Sequence, residues 1–214
     1  NDRLGIRLTK IATSATRKNL HYKVELKKDD EEKYISLRDL LIAKKCPTII
    51  YVSTTTQTVK LANRLNADGI EALFFHGKME SQDKVDTQNR FINGEVDVIV
   101  ATSAFGMGVD KDNVELVVHY EISDSLENYV QEAGRAGRSD LAGEVVIQTY
   151  NPDHYSIRYA SIHDYYSFYK EDMNVRKQLK YPPYFNLCLI TLKILHRYNK
   201  VLIFMSIQKL RKQD

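Results

Sequence analysis

The chain has 214 residues, of which 43% are hydrophobic and 28% charged, and its 31 Lys and Arg against 28 Asp and Glu leave a formal net charge of +3. This composition excludes a disordered or collagen-like chain, and no apolar run approaches the roughly 18 residues that a membrane-spanning helix needs. The two cysteines, Cys46 and Cys188, are too few for a disulfide framework or for an unaided four-ligand zinc site. Because residues 1–10 are charged and unlike a secretory signal, the sequence predicts a cytoplasmic protein with no membrane partner.

Residues 1–47 carry the weakest pattern. Residues 1–16 are interpreted as the tail of a preceding domain. Residues 31–43 place Leu37, Leu40 and Leu41 inward at helical spacing and predict a helix. We therefore interpret residues 1–47 as a linker that ends in a first helix.

Residues 48–150 alternate short apolar runs with amphipathic stretches. The apolar runs predict buried strands at 48–53, 70–75, 96–101, 114–120 and 143–150. The stretches between them predict three helices. The first begins at the polar residues 54–56 and ends at Asp68, the second covers 81–92, and the third begins with Ser123 or Asp124 as its cap. Strands joined by helices predict an α/β fold of the nucleoside-triphosphatase type, with a mainly parallel sheet flanked by helices. In such a sheet the chemistry gathers in loops beyond the carboxyl ends of the strands.

Residues 151–214 follow a different pattern and predict a small α+β appendage. Tyrosines from Tyr155 to Tyr169 recur with Met173 at helical spacing and predict one helix. The Pro182-Pro183 pair interrupts that helix, because proline fixes its own φ and pushes the preceding residue out of the helical region. Residues 186–192 then predict a strand and residues 200–212 a final helix.

Charge and aromatic content also divide the chain. Residues 1–140 carry 20 basic and 22 acidic groups, a net charge of −2, and residues 141–214 carry 11 and 6, a net charge of +5. Ten of the 21 aromatic residues (14 Tyr and 7 Phe) lie between Tyr150 and Phe185. A basic segment rich in tyrosine can neutralise and stack on nucleic acid, but a packed helical face is the commoner explanation of clustered tyrosines. Composition leaves both interpretations open.

The most informative stretch is residues 131–138, Gln-Glu-Ala-Gly-Arg-Ala-Gly-Arg. Arg135 and Arg138 stand three apart and each follows a glycine, so two forked guanidinium groups sit on a backbone that a ligand can approach closely. Such a pair suits a triphosphate. A chance pair of surface arginines is the alternative, and the stretch by itself does not decide between them.

Two earlier loops offer polar groups at the ends of predicted strands. Residues 98–110 form a buried strand and a glycine-containing loop, in which the Thr102 hydroxyl, free amides and the Asp110 carboxylate could reach phosphate or nucleotide. Gly106 and Gly108 could instead be turn residues and Asp110 a helix cap. His76 lies in the Phe-His-Gly-Lys-Met loop at 75–79, where a lone histidine is more often a structural hydrogen-bonding residue than a catalyst.

Taken in order, these pieces resemble the second RecA-like lobe of superfamily 2 helicases, and most closely the RecQ family. The matching pieces are the strand at 49–53, the Phe-His-Gly-Lys-Met loop, the segment 98–110 with its Ala-Phe-Gly-Met-Gly core, and Glu127-Asn128-Tyr129 running into 131–138. The resemblance covers about residues 12–139. It implies ATP-driven translocation on single-stranded DNA with 3′–5′ unwinding, in recombination, repair or replication restart, with ATP held between two lobes and residues 1–47 as the inter-lobe linker.

The same resemblance assigns roles to individual residues. Arg138 is implied as the arginine finger on the γ-phosphate, with Arg135 as its partner and Gln131 as the coupling residue. The implied nucleotide-binding positions are Gly106, Asp110, Gly134 and Gly137. The implied DNA-facing positions are Ser53, His76 and Thr102. Single-stranded or forked DNA is the expected partner, and no metal ligand is expected within the chain.

Two motifs of a complete helicase are missing from the sequence. It contains no Gly-x-x-x-x-Gly-Lys-Ser/Thr phosphate loop and no Asp-Glu-x-His metal box. ATP and Mg²⁺ should therefore bind only together with a first RecA-like lobe, supplied in cis or in trans. By itself the chain should not hydrolyse ATP.

Beyond Ser139 the sequence departs from the RecQ pattern, which would continue into a cysteine-rich zinc-binding subdomain, so no zinc is expected. Residues 140–192 instead resemble the primosomal helicase PriA, through 143–155, the Tyr-Tyr-Ser-Phe-Tyr-Lys run and 176–184. Both families carry the Ala-Gly-Arg-Ala-Gly-Arg motif at 133–138. We therefore interpret the chain as a fusion of two helicases at this motif, whether natural, engineered or introduced when the sequence was assembled.

Three functional hypotheses follow from the sequence. The first is the motor lobe of an ATP-dependent DNA helicase. The second is a module that binds single-stranded DNA or a replication partner through the basic aromatic residues 151–214, without turnover. The third is an unrelated α/β protein that binds a small molecule. Under this hypothesis the helicase-like order of the motifs would be a coincidence.

Overall fold

The computed structural model describes residues 17, 19–106, 111–123, 125–138, 141–150, 165–194 and 197–206. The chain divides into two compact units, Asn1–Ile157 and Arg158–Asp214. The first unit contains a six-stranded sheet and four helices, and the second contains one helix and a two-stranded sheet, counted over the described residues.

The six strands of the first unit all run parallel, in the spatial order β1-β6-β5-β2-β4-β3. The strands are β1 (Leu20–Leu26), β2 (Thr48–Tyr51), β3 (Ala72–Phe75), β4 (Val98–Ala101), β5 (Leu116–His119) and β6 (Gly143–Thr149). The helices are α1 (Asp30–Lys44), α2 (Thr55–Ala67), α3 (Ser81–Ile92) and α4 (Leu126–Ala133). The predicted α/β fold with a mainly parallel sheet is confirmed.

One face of the sheet packs against α1 and α2. Ile50 pairs with Val100 on one side and with Val118 on the other, and all three side chains are fully buried. They belong to one apolar cluster together with residues from both helices, namely Leu37, Leu41, Leu61 and Leu65. This burial stabilises the central strands that carry the loops described below.

The helix ends show which of the predicted caps are used. Thr54 caps α2 by accepting a hydrogen bond from the Gln57 amide at 3.2 Å, as the sequence predicts. Helix α4 is capped by Ser125, which accepts from the Asn128 amide at 3.1 Å. The prediction of a cap at Ser123 was wrong, because Ser123 instead donates to Glu132. The other predicted cap, Asp124, lies outside the described residues.

The second unit contains α5 (Tyr165–Gln178) and an antiparallel pair, β7 (Phe185–Ile194) and β8 (Arg197–Ser206). The predicted helix over 200–212 was wrong, since residues 200–206 continue β8. Val201, Ile203 and Phe204 are β-formers, and pairing with β7 overrides the local helical pattern. The predicted helix of tyrosines is present from Tyr165 onward, and its earlier part lies outside the described residues. No helix in the described ranges has the length and apolar character to cross a bilayer.

Strand β1 was not predicted, and it joins the edge of the sheet in register with β6. A polar network ties it to α1: Glu25 forms ion pairs with Lys23 at 2.6 Å and Lys27 at 2.7 Å and accepts a hydrogen bond from Ser36 at 3.0 Å. Burial alone would raise the pKa of Glu25, but these three donors outweigh it and lower the pKa to about 2. The carboxylate is therefore held in its charged form by the fold.

We expect this network to make stability depend on pH. Because the pKa of Glu25 falls from 4.5 to about 2 on folding, its contribution is fully present above pH 4.5 and is lost as the pH falls toward 2. The Glu25→Gln variant should lose on the order of 2 to 3 kcal/mol of unfolding free energy at pH 6, and the difference from the parent chain should shrink at pH 3. Urea unfolding at pH 6, 4.5 and 3 measures both effects.

A matched control is Glu71→Gln, which removes an exposed carboxylate paired with Arg90 at 3.4 Å. Such surface pairs contribute between zero and about 1 kcal/mol. A pH-independent effect of Glu25→Gln, or one no larger than that of Glu71→Gln, would contradict the assignment.

Candidate functional site

Three neighbouring strands end level with one another. Tyr51, Ala101 and Phe75 are register partners at the carboxyl ends of β2, β4 and β3. Two backbone hydrogen bonds continue the pairing past the strands: the Val52 amide donates to Ala101 at 2.9 Å, and the Thr102 amide donates to Phe75 at 3.2 Å. The loops that follow these strands therefore start from one fixed edge.

The three predicted DNA-facing residues lie along that edge. Ser53, Thr102 and His76 come one or two residues after the aligned strand ends, in three adjacent loops. Ser53 is exposed, and its amide donates to Glu121 Oε2 at 2.6 Å. The His76 ring stacks on Phe74 with centroids 5.9 Å apart, so its orientation is fixed by packing. The structure thus brings together a row of polar groups that came from separate motifs.

A second group of predicted residues surrounds a cavity between the β4 loop and α4. Arg135 Nη2 donates to the Gly106 carbonyl at 2.6 Å, which joins the two most informative motifs of the sequence. The cavity has a volume of about 240 Å³, and the predicted residues Gly106, Gln131 and Arg135 line it. Gly106 has φ +142°, and a Cβ at this position would collide with the guanidinium of Arg135. Only glycine permits this contact.

Tyr51 connects the cavity wall to both arginines. Its hydroxyl donates to the Phe105 carbonyl at 3.3 Å. Burial raises the pKa of Tyr51 and the nearby Glu132 adds to this, whereas the positive charges of Arg135 and Arg138 act in the opposite direction. The charges of Arg135 and Arg138 therefore both act on the Tyr51 phenol at the end of β2.

The two remaining glycines of the motif lie elsewhere in the fold. The amide of Gly137 donates to Val114 at 2.8 Å, just before β5 begins, and its φ is +62°. A Cβ there would lie 2.7 Å from the Leu141 carbonyl oxygen, so close backbone packing requires glycine. The structure places Gly137 at the amino-terminal edge of the sheet, and it places Gly134 at the end of α4.

Two residues that the sequence did not single out hold these glycines. Arg17 donates to the carbonyl of Gly134 at 3.0 Å and also to that of Gly137. Asn19 Nδ2 donates to Gly137 and to Leu141, both at 2.6 Å. They precede the described strands in a region without periodicity, so no sequence pattern pointed to them.

A buried polar pair beneath α4 was also missed. His119 is fully buried, and its Nε2 lies 3.0 Å from Glu132 Oε2, which also accepts from the Ser123 hydroxyl. The His119 ring stacks on Tyr51 with centroids 5.6 Å apart. A histidine inside the apolar run Val-Val-His-Tyr was the available signal, because a buried polar ring requires a partner. The pair fixes α4, which carries Gln131 and leads into Arg135, against β5.

Asp110, the fourth predicted nucleotide-binding position, lies outside the described residues. Within the described ranges, no three His, Cys, Asp or Glu side chains are grouped so that they could hold a metal ion.

Comparison with known proteins identifies relatives of this domain. The family model described as "Helicase conserved C-terminal domain" matches residues 32–140, about half of the chain. A Caenorhabditis briggsae protein named "Putative ATP-dependent DNA helicase Q1" is 40% identical over 134 residues, which cover 61% of this chain and 22% of that protein. The "ATP-dependent DNA helicase RecQ" of Bacillus subtilis is 37% identical over 137 residues, which cover 64% and 23%. The chain thus spans about a fifth of the length of these relatives.

Solved structures share the fold. The E. coli DEAD-box protein SrmB, in its complex with regulator of ribonuclease activity A, aligns with a TM-score of 0.61 at 26% identity, over 69% of this chain and 87% of SrmB. The C-terminal domain of the DEAD-box protein Dbp5 aligns with a TM-score of 0.60 at 21% identity, over 75% of this chain and 98% of that domain. The parallel sheet with its helices is therefore the RecA-like fold of such C-terminal domains.

The contact between Gly106 and Arg135 predicts the effect of one added methyl group. Gly106→Ala should destabilise the chain by about 1–3 kcal/mol, because alanine is strained at φ +142° and its Cβ displaces the guanidinium. Gly77→Ala is the matched control, since its Cβ would meet only Ala104 at an ordinary 3.7 Å. Urea unfolding compares the two, and equal effects would show that the Gly106 contact is not required.

Proposed function

Because the chain belongs to the family of helicase conserved C-terminal domains, we propose that it is the C-terminal motor lobe of an ATP-dependent 3′–5′ DNA helicase that acts in recombination, repair or replication restart. One observation carries the proposal: Arg135 holds the Gly106 loop beside an open cavity that Gln131 also lines. The row of Ser53, Thr102 and His76 lies at the ends of the adjacent strands. A nucleotide site and a DNA-binding surface would then lie in neighbouring loops of the same parallel sheet.

In this proposal Arg135 and Arg138 have different roles. Arg135 is already bound to the Gly106 carbonyl, so it would set the distance between the β4 loop and α4. Arg138, three residues further on, would act as the arginine finger that stabilises negative charge on the γ-phosphate as it is transferred. Gln131 would couple the nucleotide cavity to the DNA row, and Gly134 and Asp110 would complete the nucleotide side, whereas Gly137, at the amino-terminal edge of the sheet, would act only by closing the backbone turn after α4.

ATP and Mg²⁺ would be held jointly with a first RecA-like lobe, supplied in cis or in trans. The residues present fit a phosphate group, since the cavity wall contains the Arg135 guanidinium and the Gln131 amide. The first lobe would supply the phosphate loop and the metal ligands. The role of this chain would be to bind, orient and neutralise the terminal phosphate, and to hold single-stranded or forked DNA.

The exposed tyrosines of α5 favour a second candidate function, a module that binds single-stranded DNA or a replication partner without turnover. Tyr166 is 80% exposed and Tyr169 60% exposed, so neither side chain is packed in the core of the second unit. A salt titration of DNA binding distinguishes the two functions. Loss of affinity on deleting residues 151–214, with none on changing Thr102 or His76, would favour the binding module.

We also propose that residues 140–192 come from a PriA-like helicase, joined to a RecQ-like lobe at the shared motif. A join that folds is supported by β6, which begins at Gly143, five residues after the motif ends, and pairs with both β1 and β5. Sequencing genomic DNA across codons 125–160 tests this proposal. A continuous frame supports a natural fusion, separate frames support an engineered or assembly-derived join, and a continuous frame within a gene that resembles RecQ alone on both sides of codon 140 would overturn the proposal.

The finger assignment predicts a large and specific loss of activity. When the chain is fused to the first RecA-like lobe of the Bacillus subtilis relative, single-stranded DNA should stimulate ATP hydrolysis. Arg138→Ala should then lower kcat by about 10³-fold or more, because it removes the charge that stabilises the transition state. Phosphate release, measured with and without DNA, reports both effects.

The control is Arg90→Ala, which removes an exposed arginine on α3 that pairs only with surface carboxylates among the described residues. Turnover should be unchanged in that variant. Unchanged turnover after Arg138→Ala would refute the finger assignment, and duplexes with 3′ or 5′ single-stranded tails would test the direction of unwinding.

A further inference from the structure

A separate cavity opens where β5 and β6 end, outside the motifs of the proposed helicase site. Its volume is about 230 Å³, and its walls include Lys33 of α1, Gln57 of α2, Gln148 of β6 and the two tyrosines that follow the strands, Tyr120 and Tyr150. Clefts for drug-sized ligands begin at about 300 Å³. The space therefore suits a single flat ring system.

The cavity contains a buried cation. Lys33 is only 4% exposed, and its Nζ lies 4.6 Å from the ring centroid of Tyr120 and 4.7 Å from that of Tyr150. The Nζ atom of Lys33 has no hydrogen bond or ion pair with any described residue. Burial lowers the pKa of Lys33, while the negative charges of Glu121 and Asp30 act in the opposite direction. An ammonium in this setting is stabilised by a ligand that offers an oxygen or nitrogen acceptor.

A buried acceptor lines the same cavity. Gln148 is 1% exposed, and its Nε2 lies 3.5 Å from Glu25 Oε2. Its Oε1 is buried and meets no hydrogen-bond donor among the described residues. Since a buried acceptor without a partner costs about 1–3 kcal/mol, a turn of the Gln148 amide that brings Oε1 to an N–H group of a ligand in the cavity would be favourable. The cavity thus presents a donor, Lys33, and an acceptor, Gln148.

The remaining walls restrict the charge and shape of the ligand. Tyr150 is 49% exposed and donates its hydroxyl to Asp30, which fixes an aromatic ring at the mouth of the cavity. Glu121 and Asp30 line it as well, so an anion would meet two carboxylates close to one ammonium. A flat, neutral ring with both a donor and an acceptor on its edge satisfies all of these groups. Nucleobases have this combination.

We propose that this cavity binds one unstacked nucleobase, with Tyr150 as the stacking platform and Lys33 and Gln148 contacting the edge of the base. The proposal rests on the DNA-binding function proposed above. Glu121 and Ile122 line both this cavity and a smaller one beside Ser53, so the two cavities are neighbours that share a wall. A strand that follows the row of Ser53 and Thr102 would lead one base into the cavity.

The test compares oligothymidylate of about 15 nucleotides with an abasic oligonucleotide of equal length, by fluorescence anisotropy with the full chain. The parent chain should bind the base-containing strand about tenfold more tightly, because stacking and edge contacts require a base. Tyr150→Ala and Lys33→Met should each remove this preference. Tyr150→Phe keeps the ring and should retain it. Because the readout is a ratio within each variant, partial unfolding lowers both affinities and leaves the ratio intact.

The outcomes separate this proposal from the motor-lobe proposal. Equal binding of the two strands by the parent chain, or a preference that survives both Tyr150→Ala and Lys33→Met, would overturn the base cavity and leave the motor lobe standing. Failure to bind either strand would overturn both. Added thymidine monophosphate abolishes the preference if the cavity also accepts free nucleotides and leaves it unchanged if only a strand delivers the base.

Discussion

The shared direction of the six strands is the constraint on which the rest of the first unit depends. Since all six run parallel, every loop that follows a strand opens on the same edge, and the register of β2, β4 and β3 brings Tyr51, Ala101 and Phe75 level. Ser53, His76 and Thr102 are far apart in the sequence, and this arrangement brings them into one short row. The row therefore depends on three loops rather than on one.

The motif at 131–138 connects the two edges of that sheet. At its start, Gln131 and Arg135 line the cavity formed with the Gly106 loop. At its end, Gly137 is fixed to the residue before β5 and to Asn19. Movement at the proposed nucleotide cavity would therefore be transmitted along α4 to the segment that precedes β1. The buried pair of His119 and Glu132 keeps α4 on the sheet and suits it to act as a rigid lever.

The sequence predicted the parts of this structure that depend on local periodicity. The core strands and helices α1 to α3 follow from apolar spacing and turn residues, and the candidate site follows from motif order. Strand β1 was missed because its alternation is masked by charged residues such as Glu25, whose charge is stabilised partly by Ser36 on α1, eleven residues further along the sequence. The predicted helix at 200–212 failed because pairing between β7 and β8 is a tertiary effect. Arg17 and the His119–Glu132 pair likewise depend on contacts across more than ten residues.

The pairing of β1 with β6 bears on how this domain can be produced as a fragment. The region that matches the family, 32–140, contains neither strand. A protein trimmed to those limits would expose β5 as a bare edge, with unpaired amides and carbonyls along Leu116–His119. Such edges recruit strands from other molecules and promote aggregation. Expression boundaries at 32–140 would thus favour aggregation, whereas boundaries that retain residues 17–150 keep β5 paired with β6 inside the sheet.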